Sequence, residues 1–460
     1  MRFKRLLLIV VLCLLSAGVS SARTPRYVFY IMGDGMGINQ VHMTQGYNEA
    51  LGLPSVPYLD FPVFTMITTR SASSLVTDSA AAGTALATGS KTRNGSLGVD
   101  RDGGRLVNIM ELAHAKGFGT GVVTSVGVNH ASPAAFYAHV GGRHEYTEIT
   151  RQLTEDSVVD FAAGATILTQ RGDSHDAAYY VQQAREKGMR VFCGKSEYAK
   201  AGKGERVLYL SERLDRKSLS YAIDRTEGDM TLADFTSAAI DYLVSNFAKG
   251  FVLFIEGGKI DHACHSRDAG NCVHETNDLS ESVRLALDFY DRHPDETLII
   301  VTADHETGGL IMTAGKYELH PELLAGQNCS LESLTRQISG LRNSGEEVSW
   351  SSLKSLLGAR TGLWNGVAVK PADEKELTQS YKESFLDMDG TVEKNLYSAN
   401  ERVAAESLRL LAREAGYTWG TSSHSGTAVP LFVKGAKAGE FVSCRDNTDV
   451  AKVVKKVAKF

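Results

Sequence analysis

The sequence predicts an α/β fold with a doubly wound, mostly parallel sheet flanked by helices. Short apolar, β-branched or aromatic runs recur along the chain, and they alternate with longer segments whose apolar residues have helical spacing. Continuous apolar runs of this length are typical of parallel strands that are buried on both faces. The chain has 460 residues, of which 43% are hydrophobic, so it can build a large core.

Five apolar runs are predicted to be strands, and four segments with helical spacing are predicted to be helices. The strands are YVFYIM at 27–32, TGVVTSV at 120–126, FVLFI at 251–255, TLIIVT at 297–302 and VPLFVKG at 429–435. The helices are 106–116, 231–249, 273–293 and 401–416. Parallel strands end at one edge of a sheet, so residues that follow them directly are expected to meet there.

One stretch departs from this alternation. From Leu310 to about Ser398 the chain is polar and prone to helix, and it contains no strong apolar strand. We therefore predict a polar, crown-like cap insertion at about 310–398 within a single α/β domain that spans 23–460.

The first 22 residues, MRFKRLLLIVVLCLLSAGVSSA, combine three basic residues, an apolar run and small residues before a cleavage site near Ala22. This pattern is typical of a signal peptide, so we expect an exported protein that is periplasmic or extracellular. The apolar run from Leu6 to Leu15 is shorter than the roughly 20 residues that span a bilayer, so no stable membrane anchor is expected.

Charge and cysteine content narrow the function classes. The chain has 49 basic and 54 acidic residues, a net charge of −5, which argues against nucleic acid as a binding partner. Five cysteines follow the leader, an odd number, so the chain is not a disulfide scaffold. Cys264 and Cys272 are close enough in sequence to form a short disulfide loop in an oxidising compartment, and this pairing is left open.

Seven residues are carboxylates or imidazoles, the donors that divalent metal ions prefer: Asp34, Glu256, Asp261, His265, Asp304, His305 and His424. Four of them, Asp34, Glu256, Asp304 and His305, follow predicted strands. Asp261 and His265 are four apart, so a helix would place them on one face. Each residue alone has a structural alternative; Asp34, for instance, is also suited to capping the next helix. Together they indicate a metal site.

The stretch VTDSAAAGTALATG at 76–89 contains an acid and a hydroxyl, Asp78 and Ser79, at the start of an Ala-rich helix. Ala is the best helix former, so a capped, buried helix is a sufficient reading of these residues alone. Ser79 would also lie at a helix N-terminus, where free N–H groups favour a phosphate.

Six blocks of the sequence, in order, resemble those of the alkaline phosphatase family. They are MGDGMG, VTDSAA, NHASPAAFYAHV followed by GGR, EGGKIDHACH, TADHETGG and SSHSGTAVPLFVKG. The resemblance covers most of the chain outside the insertion. It implies a metal-dependent phosphate monoester hydrolase of broad specificity that acts through a phosphoserine and releases inorganic phosphate.

The resemblance also implies the roles of individual residues. Ser79 is expected to be the nucleophile, Arg143 to clamp the phosphate, and Asp78 to orient its neighbours. Two Zn²⁺ and one Mg²⁺ are expected in each subunit. The first zinc would be held by Asp261, His265 and His424, the second by Asp34, Asp304 and His305, and the magnesium by Asp34, Ser132 and Glu256.

Two histidines depart from the best-known bacterial pattern of the family. His130 stands where that pattern has an acid near the magnesium, and His262 stands where it has a lysine. Both are expected to lie next to the metal ligands, where they would change the metal preference of the third site and the pH optimum.

Other functions remain open at this stage. A phosphodiesterase would share the two-zinc core, although an arginine that matches a dianion favours monoesters. A sulfatase would require a Cys or Ser followed by x-Pro-x-Arg, and no such run surrounds Ser79. A secreted protein that only captures phosphate would not need an intact nucleophile. A homodimer, common among relatives, is a further open alternative.

Overall fold

The structure is a computed structural model that describes residues 23–198, 205–313, 315, 317–387 and 392–460. The predicted signal peptide at 1–22 lies outside the described residues. Among those residues, every helix is too short or too polar to cross a membrane.

A nine-stranded sheet forms the centre of the molecule. Its strands are β1 (Tyr27–Gly33), β2 (Val63–Ile67), β3 (Gly119–Thr124), β4 (Phe161–Gly164), β5 (Arg190–Cys193), β6 (Val207–Leu210), β7 (Phe251–Gly257), β8 (Thr297–Ala303) and β15 (Val429–Gly435). They lie in the order β2-β15-β8-β1-β7-β3-β4-β6-β5. The strands from β8 to β5 pair in parallel, whereas β15 is antiparallel to both of its neighbours. The predicted fold class is confirmed, and all five predicted strands belong to this sheet.

Four strands of the sheet were not predicted. β2, β4, β5 and β6 contain only four or five residues each. Runs this short do not stand out from loop sequence by periodicity alone. β2 forms one edge of the sheet, and β4, β6 and β5 complete its other side.

Helices occupy the segments between the strands. They are Ile38–Leu51, Ser79–Thr88, Ile109–Ala115, Ala131–Ala134, Tyr146–Arg151, Ala177–Glu186, Lys195–Tyr198, Leu232–Asn246, Lys259–His265, Ala269–Arg292, Leu331–Arg342, Trp350–Thr361, Pro371–Phe385, Arg402–Glu414 and Asn447–Ala458. Short 3-10 helices lie at Pro57–Asp60, Ala222–Asp224, Pro321–Gly326 and Ala438–Ser443, and a π-helical turn lies at Gln152–Asp156. The four predicted helices are confirmed with slightly different ends.

The predicted insertion contributes no described strand to the central sheet. It carries three helices between Leu331 and Phe385, and its short strands β10 (Leu310–Met312) and β11 (Val392–Lys394) pair outside the sheet with β13 (Tyr417–Trp419) and β12 (Ala399–Glu401). The remaining short strands, β9 (Glu306–Thr307) and β14 (His424–Ser425), pair with each other. A capping role for the insertion stays a prediction.

Strand register positions the chemistry of the molecule. β1, β7 and β8 are buried along their whole length. Gly33 is level with Gly257 on one side and with Ala303 on the other, so the three strands end together. The residues that follow them therefore meet at one edge of the sheet.

Candidate active site

Three carboxylates meet at this edge. Asp34 follows β1, Asp304 follows β8 and Glu256 lies near the end of β7, and all three are fully buried. The turn after β1 needs a glycine, because Gly35 has a φ of +71° and a Cβ there would approach Asp261 Oδ1 to 2.8 Å. The Gly35 N–H donates to Asp304 Oδ1 at 3.1 Å, which ties the two strand ends together.

The helix Lys259–His265 brings a second set of donors to the edge. Asp261 and His265 lie on one face, as their spacing predicts, and His265 Nε2 is 3.3 Å from Asp261 Oδ2. His265 Nδ1 contacts the carbonyl oxygen of Ser422 at 2.6 Å. This contact fixes the ring and leaves Nε2 turned towards the site, an arrangement common for histidines that bind metals.

Two further histidines face each other across the site. The rings of His305 and His424 stack with centroids 3.6 Å apart. His424 Nδ1 contacts the carbonyl oxygen of Thr77 at 2.9 Å, while its Nε2 lies 3.8 Å from Asp261 Oδ1. His305 Nε2 lies 3.2 Å from Asp304 Oδ2 and 3.5 Å from Asp34 Oδ1. The two imidazoles thus lie between Asp261 on one side and Asp304 and Asp34 on the other.

These side chains form three groups whose donor atoms lie within 4.8 Å of one another. The groups are Asp261–His305–His424, Asp34–Asp304–His305 and Asp34–His130–Glu256. The second group is the set expected for the second zinc. In the first group His305 takes the place expected for His265, which lies beside Asp261. In the third, His130 joins the expected carboxylates, and the buried hydroxyl of Ser132 lies close to Glu256.

Many polar atoms at this site are buried without a hydrogen-bond partner in the described part of the chain. They are both Asp34 carboxylate oxygens, Glu256 Oε1, Asp261 Oδ2, Asp304 Oδ2, His130 Nδ1, His265 Nε2, His424 Nε2 and Ser132 Oγ. Buried polar atoms are almost always paired, because an unpaired one costs about 1–3 kcal/mol. Carboxylate and imidazole donors that converge in this way fit bound divalent cations.

The electrostatics support the same conclusion. Burial, and then the negative charges of Asp304, Asp261 and Glu256, raise the pKa of Asp34 well above its usual range. Burial and Asp261 raise the pKa of Asp304 to about 8, and burial raises that of Glu256 to about 7. Burial and His424 hold the pKa of His305 well below its usual value. Cations at the site would relieve the repulsion, and a neutral imidazole is the form that binds metals.

Ser79 lies next to His305, which belongs to two of these groups. It is the first residue of the helix Ser79–Thr88 and is fully buried, and its Oγ is 3.3 Å from His305 Nε2. Asp78 caps the helix, because its Oδ1 accepts from the Ala81 N–H at 3.0 Å. The hydroxyl therefore lies next to the second metal-donor group and at the positive end of a helix dipole.

Arg143 reaches the site from the other side and is held there by Asp78. Its Nη1 donates to Asp78 Oδ2 at 3.0 Å, and its Nη2 lies 3.4 Å from His130 Nε2. Burial disfavours its charge, but Tyr397 and Asp78 together raise the pKa of the guanidinium. Asp78 Oδ2 also accepts from the Gly95 N–H at 3.1 Å, so the arginine is anchored to a fixed carboxylate.

Every residue predicted for the site lies at this one edge of the sheet. Three residues that were not predicted, Tyr397, Thr307 and Thr124, also lie there. His262 lies under the ring of Tyr397, with centroids 3.8 Å apart, and burial together with Lys259 lowers the pKa of His262 to about 3. Thr307 donates to Asp261, and Thr124 donates to Glu256. Sequence reasoning missed Tyr397, Thr307 and Thr124. The two threonines belong to segments that carry other candidates, whereas Tyr397 belongs to the polar insertion and had no signal.

The two cysteines that were candidates for a short disulfide lie next to the site. Cys264 and Cys272 are both buried, and their sulfur atoms are 3.6 Å apart and not joined. The thiols pack between the helices Lys259–His265 and Ala269–Arg292.

Comparison with known proteins agrees with this geometry. Residues 26–460 match the sequence profile of the family described as alkaline phosphatase. The chain belongs to the alkaline phosphatase family. As a member of this metal-dependent family, it is a phosphomonoesterase.

Individual relatives of the alkaline phosphatase family give the same picture. The chain is 29% identical to alkaline phosphatase 4 of Bacillus subtilis over 94% of its own length and 89% of that protein. It is 31% identical to the repressible alkaline phosphatase of Saccharomyces cerevisiae over 69% of its own length and 62% of that protein. It also resembles the crystal structure of a cold-active alkaline phosphatase from Shewanella sp., with 27% identity, a TM-score of 0.78, and coverage of 94% of this chain and 99% of that one.

Proposed function

We propose that the chain hydrolyses phosphate monoesters through a phosphoserine formed at Ser79. The observation that carries this proposal is the position of the Ser79 hydroxyl, 3.3 Å from His305 Nε2, which belongs to two of the buried metal-donor groups. Arg143 supplies the one guanidinium anchored at this cluster in the described structure. A hydroxyl, a cation site and a guanidinium are the groups that phosphoryl transfer requires.

The donor chemistry supports two zinc ions and one magnesium ion. Asp261, His265 and His424 would hold the first zinc, and Asp34, Asp304 and His305 the second. Asp34, Ser132 and Glu256 would hold the magnesium, with His130 beside them. Imidazole and carboxylate suit zinc, and all-oxygen ligands suit magnesium. When bound, zinc supplies a Lewis acid that lowers the pKa of a serine hydroxyl and stabilises charge on the leaving oxygen.

The residues of the chain then act in order. Arg143 binds two oxygens of the phosphoryl group, and Asp78 holds the guanidinium in place. Ser79 Oγ attacks phosphorus as its hydroxyl proton is released to water and the bond to the alcohol breaks; the leaving oxygen takes up a proton, and a phosphoserine remains. Water attacks the phosphoserine from the vacated side, so the Oγ–P bond breaks, inorganic phosphate leaves and the hydroxyl is restored. Two inversions give retention at phosphorus.

The proposal includes broad substrate specificity and export, and it leaves open whether the chain is a monomer or a homodimer. Specificity is expected to be broad because the predicted site residues bind the phosphoryl group and none of them is assigned to the alcohol. Export to the periplasm or the extracellular space rests on the sequence of residues 1–22. Fractionation of cells that express the full chain, against cells that express residues 23–460 alone, tests it: activity in the exported fraction should depend on the leader.

A direct test compares p-nitrophenyl phosphate with bis(p-nitrophenyl) phosphate, using residues 23–460 at pH 7 to 10 with and without a chelator. We expect fast, chelator-sensitive monoester hydrolysis and slow diester hydrolysis. Faster diester hydrolysis would favour a phosphodiesterase and contradict the assigned role of Arg143. Phosphate binding with bound zinc but without turnover would favour a capture protein.

A further inference from the structure

The carboxylate of Glu306 is buried beside the candidate active site and has no part in the chemistry proposed above. Glu306 lies in β9, directly after His305, and is 4% exposed. Among the described residues, all four hydrogen bonds that it accepts come from neutral groups. Burial of a carboxylate is costly unless such donors surround it, so the positions of the donors are informative.

Two of the four donors belong to the turn that follows β9. Glu306 Oε2 accepts from the Gly309 N–H at 3.1 Å, and Oε1 accepts from the Leu310 N–H at 3.2 Å. Backbone N–H groups cannot rotate away from an acceptor as side chains can. The turn therefore fixes the direction of both carboxylate oxygens.

The third donor belongs to the helix that follows β1. Gln40 is fully buried in the helix Ile38–Leu51, and its Nε2 donates to Glu306 Oε1 at 2.8 Å. The same amide donates to the Thr307 carbonyl oxygen at 2.9 Å. The start of this helix packs closely on Glu306, because a Cβ at Gly37 would collide with Glu306 Cγ. Glu306 thus joins the segment after β1 to β9.

The fourth donor lies next to a candidate zinc ligand. β9 pairs with β14, and this pairing places Glu306 level with Ser425. The Ser425 hydroxyl donates to Glu306 Oε2. Since Ser425 directly follows His424 and Glu306 directly follows His305, the hydrogen bond connects the two segments that carry these imidazoles.

The backbone alone connects these segments through few hydrogen bonds. β9 and β14 contain two residues each. Beyond their ladder, the Gly308 N–H donates to the Ser423 carbonyl oxygen at 2.9 Å. Short elements with few backbone hydrogen bonds open at low cost in free energy. The contact between Ser425 and Glu306 therefore adds a side-chain attachment where the ladder is short.

A carboxylate is the group that satisfies all four donors. Each oxygen of Glu306 accepts two hydrogen bonds, and one of each pair comes from the backbone of the turn. A glutamine has the same shape but places an NH2 group at one of the two oxygen positions, and that group accepts no hydrogen bond. Either the Gly309 N–H or the Leu310 N–H would then face a donor. Glu306→Gln consequently breaks the arrangement with little change in side-chain volume.

We propose that Glu306 is a positioning residue for the first zinc: its carboxylate holds β14 against β9 and so sets the place of His424, whose Nε2 lies 3.8 Å from Asp261 Oδ1. The inference rests on the proposed function, because it takes Asp261, His265 and His424 to hold that zinc. Groups that orient metal ligands from outside the site typically change metal affinity by about 10–100-fold when they are removed.

The test compares zinc retention by Glu306→Gln and the wild type. Enzyme loaded with zinc and magnesium is equilibrated with a graded series of a zinc chelator, and the zinc that remains bound is counted. His424→Ala identifies the release step that belongs to the first zinc. Urea unfolding is measured for every variant.

Asp160→Asn is the matched control. Asp160 is a buried carboxylate whose Oδ2 accepts from the N–H and the hydroxyl of Thr120, at 2.9 and 3.0 Å. It directly precedes β4, so it lies at the opposite edge of the sheet from the candidate active site. Its replacement by the amide therefore disturbs a buried, hydrogen-bonded carboxylate without touching the metal donors.

We expect Glu306→Gln to lower the affinity for the first zinc by about 10–100-fold and to leave the affinity for the second within about threefold. Its kcat for p-nitrophenyl phosphate should fall at limiting zinc and return to within about threefold of the wild type at saturating zinc, because Glu306 acts through His424. Ser425→Ala, which removes only the attachment to β14, should lower the affinity for the first zinc by about fivefold, as expected for one hydrogen bond. Asp160→Asn should retain both zinc ions as the wild type does.

Two outcomes would overturn the inference and leave the proposed function intact. One is an affinity of Glu306→Gln for the first zinc within twofold of the wild type. The other is an equal loss of both zinc ions, which would indicate general loosening of the site instead of displacement of His424. If Glu306→Gln does not fold, an unchanged affinity of Ser425→Ala for the first zinc overturns the inference. A wild type that binds no zinc would overturn both proposals.

Discussion

The helix Lys259–His265 lies between two buried charged clusters that differ in whether their charged groups have partners. Asp261 and His265 face the candidate active site. Lys259 lies two residues before Asp261 and therefore points to another side of the helix, where Arg225, Glu275 and Asp278 are also buried or nearly so. We call this second set, Lys259, Arg225, Glu275 and Asp278, the paired cluster.

In the paired cluster each charged group has a partner. Lys259 Nζ donates to the Leu219 carbonyl at 2.6 Å and lies 3.4 Å from the centre of the Tyr221 ring. Both guanidinium ends of Arg225 donate to the Asp278 carboxylate, at 2.8 Å for the Nη2 contact. The Glu275 carboxylate accepts from the Ala222 N–H at 2.6 Å.

The comparison shows that buried charged side chains have two different roles in this molecule. Burial imposes a desolvation cost in both clusters, which is several kcal/mol for each ion. Of the two clusters, only the candidate active site leaves carboxylate and imidazole atoms unpartnered; in the paired cluster the Nε atom of Arg225 lacks a partner. Charges that are already paired hold elements together, whereas charges without partners are available to a ligand.

The largest effect is expected for Ser79→Ala, which changes the candidate active site and leaves the paired cluster intact. If Ser79 is the nucleophile, kcat/KM for p-nitrophenyl phosphate should fall by about 10⁴-fold or more, because removal of a nucleophile eliminates the covalent route. Bound zinc and the free energy of unfolding should stay near wild-type values. Ser90→Ala, beyond the other end of the same helix, is the control. Loss of zinc in Ser79→Ala would indicate a structural role instead.

Arg143→Ala tests the proposed role of this guanidinium in holding the substrate. We expect kcat/KM to fall by about 10²-fold, since a charge-assisted bidentate contact to the phosphoryl group is lost. Competitive inhibition by inorganic phosphate should weaken in parallel. The loss should be larger for the monoester than for the bis-ester, so an equal loss for both substrates would contradict the role of Arg143 in recognising a dianion.

Arg225→Met breaks the paired cluster. It leaves the Asp278 carboxylate buried without its counter-charge, so urea unfolding should show a loss of about 3–5 kcal/mol. Turnover per folded molecule should remain unchanged. The double variant Arg225→Met/Asp278→Met should recover most of the loss, because neither charge is then unpaired. A loss of kcat in the folded single variant would show that this cluster also serves the chemistry.

Asp268→Asn tests a carboxylate that is buried and hydrogen-bonded but forms no ion pair within the described part of the chain. Asp268 accepts from Gln327 Nε2, Leu331 N and Asn271 N at 2.7, 2.8 and 3.2 Å, and burial raises its pKa to about 6. Because of this raised pKa, the folded state is more stable at low pH than at high pH. The extra stability is lost as the pH rises from about 4, the usual pKa of the unfolded chain, to about 6.

Over that interval the wild type should lose about 2–3 kcal/mol of unfolding free energy relative to Asp268→Asn, whose side chain does not titrate. Urea unfolding of both proteins at pH 4, 5, 6 and 7 measures this difference. A difference that does not change with pH would show that the carboxylate titrates normally in the folded protein.

Sequence alone determined the fold class and predicted most of the residues that converge at the candidate site. Long apolar runs can be buried only as strands of a covered sheet, which is why β1, β7 and β8 were predictable. Residues such as Asp34 and Asp304 follow those strands directly, so the shared edge of a parallel sheet was enough to bring them together. Asp261 and His265 were predictable as a pair because helical spacing places them on one face.

Tertiary structure decided the rest. Strands of four residues, such as β4 and β6, carry too little pattern to be recognised, and they form because neighbouring strands offer hydrogen bonds. The inclusion of His130 with Asp34 and Glu256 depends on side-chain directions that spacing does not fix. Tyr397 reaches the site through a hairpin anchored more than a hundred residues away in sequence, at Ser266 and Arg267. Such long-range contacts depend on three-dimensional packing, and local sequence pattern carries no record of them.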